Sequence, residues 1–309
     1  MYRLPKPLKR GATIGVIAPA SAAHRQQTKE GLAYLQRQGF RVQSAPNLTR
    51  GRYYLAGKDD LRLKYLEQYI LDPEIDAVFC VRGGYGLLRI IDRINYRRLK
   101  SAPPKIIVGY SDITALQMAF LTQLGWVGYS GPMVASDMSG TFDSYSEEWL
   151  WKVIGDQPYP LVLENPPGEE IAVYRHGRAS GHLIGGCLSL LTPLLGTKYM
   201  PNLEGAILVI EDIGEKTYHL DKQLHMLRIH GVFDKIAGLI VGHFVNCFPK
   251  NPKRSFTLYE FLDDVIGRYE FPVVTNFAYG HIKKRLTLPL GARVSLTTEP
   301  VKIELLREF

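Results

Sequence analysis

The sequence predicts an α/β protein, in which an N-terminal doubly wound parallel sheet is followed by a smaller, β-rich C-terminal α+β domain. In the first half of the chain, short apolar segments alternate with segments whose apolar residues recur at helical spacing. This alternation is typical of a parallel sheet covered by helices on both faces. In the second half the alternation is lost. At 309 residues, the chain is long enough for two hydrophobic cores.

The first half supplies the strands and helices of the predicted parallel sheet. Strands are predicted at Thr13–Ala18, Phe40–Ser44, Ile75–Val81, Lys105–Gly109 and Trp126–Tyr129. Helices are predicted at Arg25–Gln38, Asp59–Leu71, Leu87–Ile94, Asp112–Leu124 and Glu147–Ile154. Ligand sites in such sheets lie beyond the carboxyl ends of the strands. The loops that follow these strands are therefore the first place to look for a site.

Proline and glycine interrupt the pattern at Asp156–Pro160 and again at Asn165–Gly168. We therefore expect an N-terminal domain at 1–156, a linker at 157–168 and a C-terminal domain at 169–309. Strands of the second domain are predicted at Ala206–Glu211, Ile236–Gly242, Pro272–Ala278, Arg293–Thr297 and Val301–Leu305. Its helices are predicted at Leu188–Leu195, Tyr218–His230 and Leu258–Arg268.

The net charge of +8 raises the question of a nucleic-acid partner. Lysine and arginine are spread along the chain, no zinc-finger or RNA-recognition signature accompanies them, and the aromatic residues do not interleave with them. We expect no nucleic-acid partner. The charge fits either a solvated surface or a basic cleft that attracts a polycarboxylate substrate.

The cysteines and the N-terminus bear on the cellular compartment. Three widely separated cysteines form no CxxC pair, so neither a zinc site nor a disulfide framework is predicted, and a reducing compartment is the simplest interpretation. Basic residues before an apolar run are reminiscent of an export signal, but glycines interrupt the run, and it fits a first strand better. No apolar run is long enough to span a membrane.

The most informative segment is Gly109–Asp112, which lies between a predicted strand and a predicted helix. A serine at such a sharp corner, here Ser111, exposes its hydroxyl beside the free N–H groups of a helix N-terminus, as a serine nucleophile requires. Serine is also a preferred N-cap residue, so plain capping is the alternative.

A glycine-rich loop, Arg82–Gly86, follows the third predicted strand. It lacks the third glycine of a dinucleotide-binding fingerprint, and it has no Walker lysine. Two interpretations remain: the loop is a plain turn, or it donates backbone N–H groups to an anion. In the second interpretation, one N–H from this loop and one from the residue after Ser111 form an oxyanion hole.

A serine nucleophile needs a histidine base and an acid that orients the histidine. Glu211 and Asp212 end a buried strand and point to opposite faces, and periodicity does not choose between them. His243 and His281 each follow a predicted strand and a glycine, and they are equal candidates. The histidines of the helix Tyr218–His230 lack the spacing of a metal-binding pair.

Several motifs, taken in order, resemble the signatures of the LD-carboxypeptidase family of serine peptidases, which includes the immunity enzymes that inactivate microcin C. The motifs span nearly the whole chain: Ile17–Ser21, Arg82–Gly86, Gly109–Thr114, Gly181–Gly186, Leu195–Thr197, Glu211–Asp212 and Gly280–His281. Two positions depart from the expected pattern. Ile113 stands where a GxSxG corner has its second glycine, and Cys187 stands where a polar residue is expected.

The resemblance implies a catalytic triad drawn from both domains, with the active site at their interface. Ser111 would be the nucleophile, His281 the general base and Glu211 the acid that orients it. The N–H groups of Gly84 and Asp112 would form the oxyanion hole, and His243 would be structural. We further expect three residues of the glycine-rich loop to bind substrate: Arg82, Gly83 and Tyr85.

The resemblance also implies the reaction and its setting. Family members remove the terminal D-alanine of murein tetrapeptide during peptidoglycan recycling, through an acyl-enzyme. We therefore expect a cytoplasmic, homodimeric serine carboxypeptidase without metal or other cofactor. An immunity-type hydrolase of a peptidyl-nucleotide is the alternative, and a non-catalytic protein that binds a peptide or sugar is a more distant one.

Overall fold

The computed structural model describes residues 2–156, 158–249, 251 and 255–306. The chain divides into two compact units, Met1–Pro158 with Leu286–Gly291, and Tyr159–Arg285 with Ala292–Phe309. The linker and domain limits expected from the sequence stay a prediction, and the first linker residue, Gln157, lies outside the described residues. No helix in the described ranges is long and apolar enough to cross a membrane.

The first unit contains a six-stranded sheet whose strands run in the order β12-β5-β4-β3-β1-β2. The strands, labelled in chain order, are β1 (Thr13–Ile17), β2 (Arg41–Ser44), β3 (Ala77–Cys80), β4 (Ile106–Val108), β5 (Gly128–Ser130) and β12 (Leu288–Leu290). Strands β1 to β5 are parallel, and β12 pairs antiparallel with β5 at the edge. The central strands are buried, as expected for a sheet covered on both faces.

Helices follow the strands of this sheet and complete the doubly wound arrangement. They are α1 (Arg25–Arg37), α2 (Asp59–Leu71), α3 (Tyr96–Leu99), α4 (Ile113–Leu124) and α5 (Ser144–Ile154). The predicted helix Leu87–Ile94 is wrong. It consists of two short 3₁₀ turns, because the backbone leaves the helical region at Ile90, where φ is −124°.

The second unit contains an eight-stranded sheet in the order β6-β14-β13-β8-β9-β10-β11-β7. Its strands are β6 (Leu161–Val162), β7 (Ala172–Arg175), β8 (Arg178–Cys187), β9 (Ile207–Ile213), β10 (Gly238–Val245), β11 (Val273–Thr275), β13 (Arg293–Thr298) and β14 (Val301–Leu305). Strands β8 to β11 are parallel, and the remaining pairs are antiparallel. Its helices are α6 (Leu188–Leu191), α7 (Thr217–Ile229) and α8 (Leu258–Ile266).

The fold class predicted from the sequence is confirmed in both units. The sequence did not predict β6, β7, β8 or β12. Strand β8 was missed because its glycines argue against a strand. At Gly185, however, a Cβ atom would lie 1.8 Å from the carbonyl oxygen of Val209, so the close pairing of β8 with β9 depends on a residue without a side chain.

Candidate active site

Ser111 lies at the corner between β4 and α4, in the first unit. Its φ of 63° places it in the left-handed region, which a non-glycine residue seldom adopts and which costs about 1–3 kcal/mol when the surroundings enforce it. The N-cap position of α4 is occupied by Asp112, so Ser111 does not cap this helix. The corner therefore holds a strained serine at a helix start.

The glycine-rich loop after β3 packs directly on this corner. A Cβ atom at Gly83 would lie 2.9 Å from the Cβ of Ser111 and 3.2 Å from the carbonyl oxygen of Tyr110. Any side chain at position 83 would therefore displace the serine or the loop. The absence of a side chain at Gly83 is what lets the two loops meet.

Two backbone N–H groups near this contact are free to bind a ligand. Among the described residues, no acceptor receives a hydrogen bond from the N–H of Gly84 or from the N–H of Asp112. Gly84 belongs to the loop that packs on Ser111, and Asp112 follows Ser111 at the start of α4. Unpaired N–H groups of this kind can stabilise a negative oxygen.

The side chain of Asp112 ties the corner to the glycine-rich loop. Its buried carboxylate accepts a hydrogen bond of 2.9 Å from the N–H of Leu87. Burial raises the pKa of this carboxyl from 3.8 to about 6, although this hydrogen bond opposes the shift. The same residue thus contributes a free N–H to the site and anchors the loop that contributes the other.

Ser21 and Arg62 hold the same loop from its other side, and sequence reasoning gave neither a role. The N–H of Ser21 donates to the carbonyl oxygen of Gly83 at 3.2 Å, and its hydroxyl accepts from the N–H of Tyr85 at 3.1 Å. The fully buried Arg62 donates to the carbonyl oxygen of Gly86 at 3.0 Å. Arg62 also donates to the carbonyl oxygen of Pro19 and to Asp59. The position of Ser21 within a family motif is the signal that could have identified it.

In the second unit, the buried Glu211 pairs with the partly buried His281. The Oε2 atom of Glu211, near the end of β9, lies 2.7 Å from Nδ1 of His281. Glu211 is 1% exposed. An ionised carboxylate only accepts hydrogen bonds, so Nδ1 carries the proton and Nε2 is the nitrogen that can take up another. This is the orientation in which an acid prepares a histidine to act as a general base.

The backbone before His281 makes room for this pair. Gly280 has a φ of 125°, and a Cβ atom there would lie 2.9 Å from Oε2 of Glu211. A residue with a side chain would be strained and would also collide with the carboxylate. The glycine before His281 is thus required by the contact between Glu211 and the histidine.

The sequence left open whether Glu211 or Asp212 is the acid, and whether His281 or His243 is the base. Asp212 and His243 have surroundings that differ from those of Glu211 and His281. Asp212 faces away from Glu211, and its carboxylate accepts hydrogen bonds from the N–H groups of Ser189 at 2.7 Å and Ile213 at 2.8 Å. It therefore anchors the start of α6. Nε2 of His243 is buried and has no hydrogen-bond partner among the described residues. Desolvation lowers the pKa of His243, so this imidazole is kept neutral.

The other predicted site residues lie in the first unit. Arg82, Gly83, Gly84 and Tyr85 belong to the loop that contacts the Ser111 corner, and Tyr85 is 45% exposed. Glu211 and His281 belong to the second unit. Among the described residues, no three His, Cys, Asp or Glu side chains are grouped so that they could hold a metal ion.

Replacing Asp112 with asparagine should change how stability depends on pH. The carboxyl has a higher pKa in the folded state than in the unfolded chain, so the folded state binds the proton more tightly. The contribution of Asp112 to the free energy of unfolding therefore falls as pH rises from 3.8 to about 6. The free energy of unfolding of Asp112→Asn, measured relative to that of wild type, should therefore be about 2 kcal/mol higher at pH 7 than at pH 4.5. Urea titrations at both pH values measure it, and a constant difference would contradict a raised pKa.

Comparison with known proteins matches both halves of the chain to one family. Residues 14–131 match the profile of the LD-carboxypeptidase N-terminal domain, and residues 180–296 match that of the C-terminal domain. A probable murein peptide carboxypeptidase of Bacillus subtilis (strain 168) is 36% identical over 296 residues, which cover 95% of this chain and 91% of the relative.

Solved structures show the same fold. The microcin C7 self-immunity protein MccF in complex with aspartyl sulfamoyl adenosine superimposes with a TM-score of 0.91 at 25% identity, over 99% of each chain. A muramoyltetrapeptide carboxypeptidase from Oxalobacter formigenes superimposes with a TM-score of 0.81 at 28% identity, over 95% of this chain and 98% of the other. These findings confirm the resemblance that the sequence motifs indicated, and the chain belongs to the LD-carboxypeptidase family.

Proposed function

We propose that this protein is a serine carboxypeptidase that cleaves the LD bond before the terminal D-alanine of murein tetrapeptide. The observation that carries the proposal is the left-handed backbone of Ser111 at a strand-to-helix corner. A non-glycine residue retains such a strained conformation when the surrounding structure enforces it, and this conformation is typical of a serine nucleophile. Membership of the LD-carboxypeptidase family supports the same reaction class.

In the proposed reaction, Ser111 attacks the carbonyl carbon of the third peptide residue, and its proton passes to Nε2 of His281. Glu211 holds the protonated imidazole through Nδ1. The negative oxygen of the tetrahedral intermediate accepts hydrogen bonds from the N–H groups of Gly84 and Asp112. The C–N bond then breaks, and His281 protonates the amine of D-alanine. Water hydrolyses the resulting acyl-enzyme, with His281 again acting as base.

The setting proposed for this reaction follows from the family and from the charge of the chain. The net charge of +8 suits an anionic peptide substrate, and Arg82 is a candidate for contact with a substrate carboxylate. We propose that the enzyme acts in the cytoplasm, in peptidoglycan recycling, as a homodimer. Neither a metal nor another cofactor takes part in the proposed steps.

A second candidate is hydrolysis of a peptidyl-nucleotide, as in immunity to microcin C. It is favoured by the structural similarity to the immunity protein MccF, which was solved with aspartyl sulfamoyl adenosine. The same nucleophile, base and oxyanion hole would serve both substrates, so the two candidates differ only in substrate.

Replacing Ser111 with alanine tests the nucleophile. The turnover of murein tetrapeptide should fall by about 10⁴- to 10⁶-fold, because the acyl-enzyme can no longer form. Release of D-alanine, followed by mass spectrometry, measures this loss, and circular dichroism checks that the variant is folded. Parallel incubation of the wild type with tetrapeptide and with aspartyl sulfamoyl adenosine decides between the two candidate substrates, because only the true substrate class should be hydrolysed efficiently. Half of the wild-type activity in a folded variant would refute the assignment of Ser111.

Replacing Gly83 with alanine tests the contact between the loop and the corner. The new Cβ would lie 2.9 Å from Ser111 Cβ, and a displacement of about 1 Å at a reacting group can cost on the order of 100-fold in rate. We expect kcat/KM for tetrapeptide to fall by about 10- to 100-fold. Gly51→Ala is the matched control, because its Cβ would meet no atom closer than 3.8 Å. Equal kcat/KM values for the two variants would contradict the contact.

The adjacent acids provide a paired test. Glu211→Gln should lower kcat by about 10³- to 10⁴-fold, because the amide no longer stabilises the protonated imidazole. Asp212→Asn should leave kcat nearly unchanged and should lower the free energy of unfolding by about 1–2 kcal/mol, because hydrogen bonds at the start of α6 are weakened. Steady-state kinetics and urea titration separate the two effects. Equal losses of kcat in both variants would leave Glu211 without its special role.

A further inference from the structure

Four loops of the first unit follow parallel strands that lie side by side in the order β4, β3, β1 and β2. Ser111 follows β4, the glycine-rich loop follows β3, Ser21 follows β1, and the segment 45–58 follows β2. Neighbouring strands lie about 4.8 Å apart, so the first and last of these loops are separated by about 14 Å along the sheet edge. The four loops therefore form a row along this edge of the sheet, and the row begins at Ser111, the proposed nucleophile.

Three exposed tyrosines lie in the loops of this row that follow β2 and β3. Tyr53 is 90% exposed, Tyr54 is 61% exposed, and Tyr85 of the glycine-rich loop is 45% exposed. The rings of Tyr54 and Tyr85 meet edge to face, with their centroids 5.4 Å apart. Large aromatic rings that stay exposed together mark ligand-binding surfaces more often than isolated ones do.

The turn that carries Tyr53 and Tyr54 is held in place. Arg52 and Leu55 exchange backbone hydrogen bonds of 2.7 and 3.0 Å across it, and Tyr53 has a left-handed φ of 56°. The Ser21 hydroxyl donates to the carbonyl oxygen of Tyr54 at 2.5 Å while it accepts from the N–H of Tyr85. One side chain therefore fixes the tyrosine turn to the loop that packs on Ser111, so the two have a defined spacing.

A cavity of about 430 Å³ opens beside this turn, within the size range of ligand pockets. Both tyrosines line it, together with charged side chains that can donate and accept hydrogen bonds, among them Arg52, Lys58, Asp60 and Arg93. Tyrosine faces contact the C–H groups of a sugar ring, and mixed charged groups can bind its hydroxyl and acetamido groups. An apolar face with a polar rim fits an amino sugar better than it fits an apolar peptide side chain.

We propose that the turn Tyr53–Tyr54 and its cavity bind the N-acetylated sugar to which the murein peptide is attached. This inference rests on the proposed function. Three residues precede the bond that Ser111 would cleave, and in an extended conformation they span about 10 Å at 3.3–3.6 Å per residue. The lactyl group that joins the peptide to the sugar adds a few ångströms. The sugar would then reach the loop after β2, about 14 Å from the loop that carries Ser111.

The test compares N-acetylmuramoyl-tetrapeptide with free tetrapeptide, as the ratio of their kcat/KM values. We expect the wild type to favour the sugar-bearing substrate, and we expect the double variant Tyr53→Ala/Tyr54→Ala to reduce the ratio by about 10-fold, as expected for the loss of aromatic contacts worth ~1.4 kcal/mol. Tyr54→Phe keeps the ring and should keep the ratio. An unchanged ratio in the double variant would overturn the proposal.

A binding measurement separates this inference from the proposed function. Saturation-transfer NMR with the disaccharide N-acetylglucosaminyl-N-acetylmuramic acid should detect binding to the wild type and lose it in the double variant. If neither tetrapeptide is cleaved but this loss is seen, the sugar site stands and the peptidase proposal fails. If tetrapeptide is cleaved and the disaccharide gives equal signals with both proteins, the peptidase proposal stands and the sugar site is refuted.

Discussion

The hydrogen bond of the buried Asp112 carboxylate is the interaction on which the first half of the candidate site depends. This side chain accepts the N–H of Leu87, which directly follows the glycine-rich loop, and so joins that loop to the residue that follows Ser111. The arrangement is costly, because burial raises the pKa of the carboxyl to about 6. In return, it holds the two free N–H groups, of Gly84 and Asp112, in one rigid assembly. A neutral side chain at position 112 would bind the N–H of Leu87 less strongly, because hydrogen bonds to an ionised acceptor are about twice as strong as neutral ones.

In both units, a glycine stands where the backbone comes closest to a functional side chain. Gly280 leaves the space in which Glu211 meets His281, and Gly83 leaves the space in which the loop meets Ser111. In both places the backbone approaches a functional side chain more closely than a Cβ atom would allow. The glycines of these motifs are therefore explained by contacts to functional residues, and turn formation alone does not account for them.

The sequence predicted the alternating order of the first unit and the corner at Ser111, because periodicity and turn residues are local signals. It did not predict β8, because the reason for its glycines lies in a neighbouring strand that is distant in the chain. Periodicity left Glu211 and Asp212 equal, since side chains alternate across a strand and only the surroundings distinguish the two faces. Arg62 had no local signal, and Ser21 was marked only by its place in a family motif. Their roles come from hydrogen bonds to loops that follow other strands.

The strand order β2-β1-β3-β4-β5 places a topological switch point between β1 and β3, where doubly wound proteins usually open a crevice for a ligand. In this chain the crevice is closed by protein. A Cβ atom at Gly84 would lie 2.4 Å from Oγ of Ser21, and the Ser21 hydroxyl occupies the N–H of Tyr85 that a ligand could otherwise use. The N–H of Gly84, one strand nearer to Ser111, donates no hydrogen bond to a described residue. The missing third glycine of the dinucleotide fingerprint fits this geometry, because the loops after β1 and β3 pack on each other and need no room there for a pyrophosphate. Doubly wound proteins commonly bind nucleotides at the switch point. In this chain, unpaired backbone N–H groups lie instead beside the next strand, at the corner that carries Ser111.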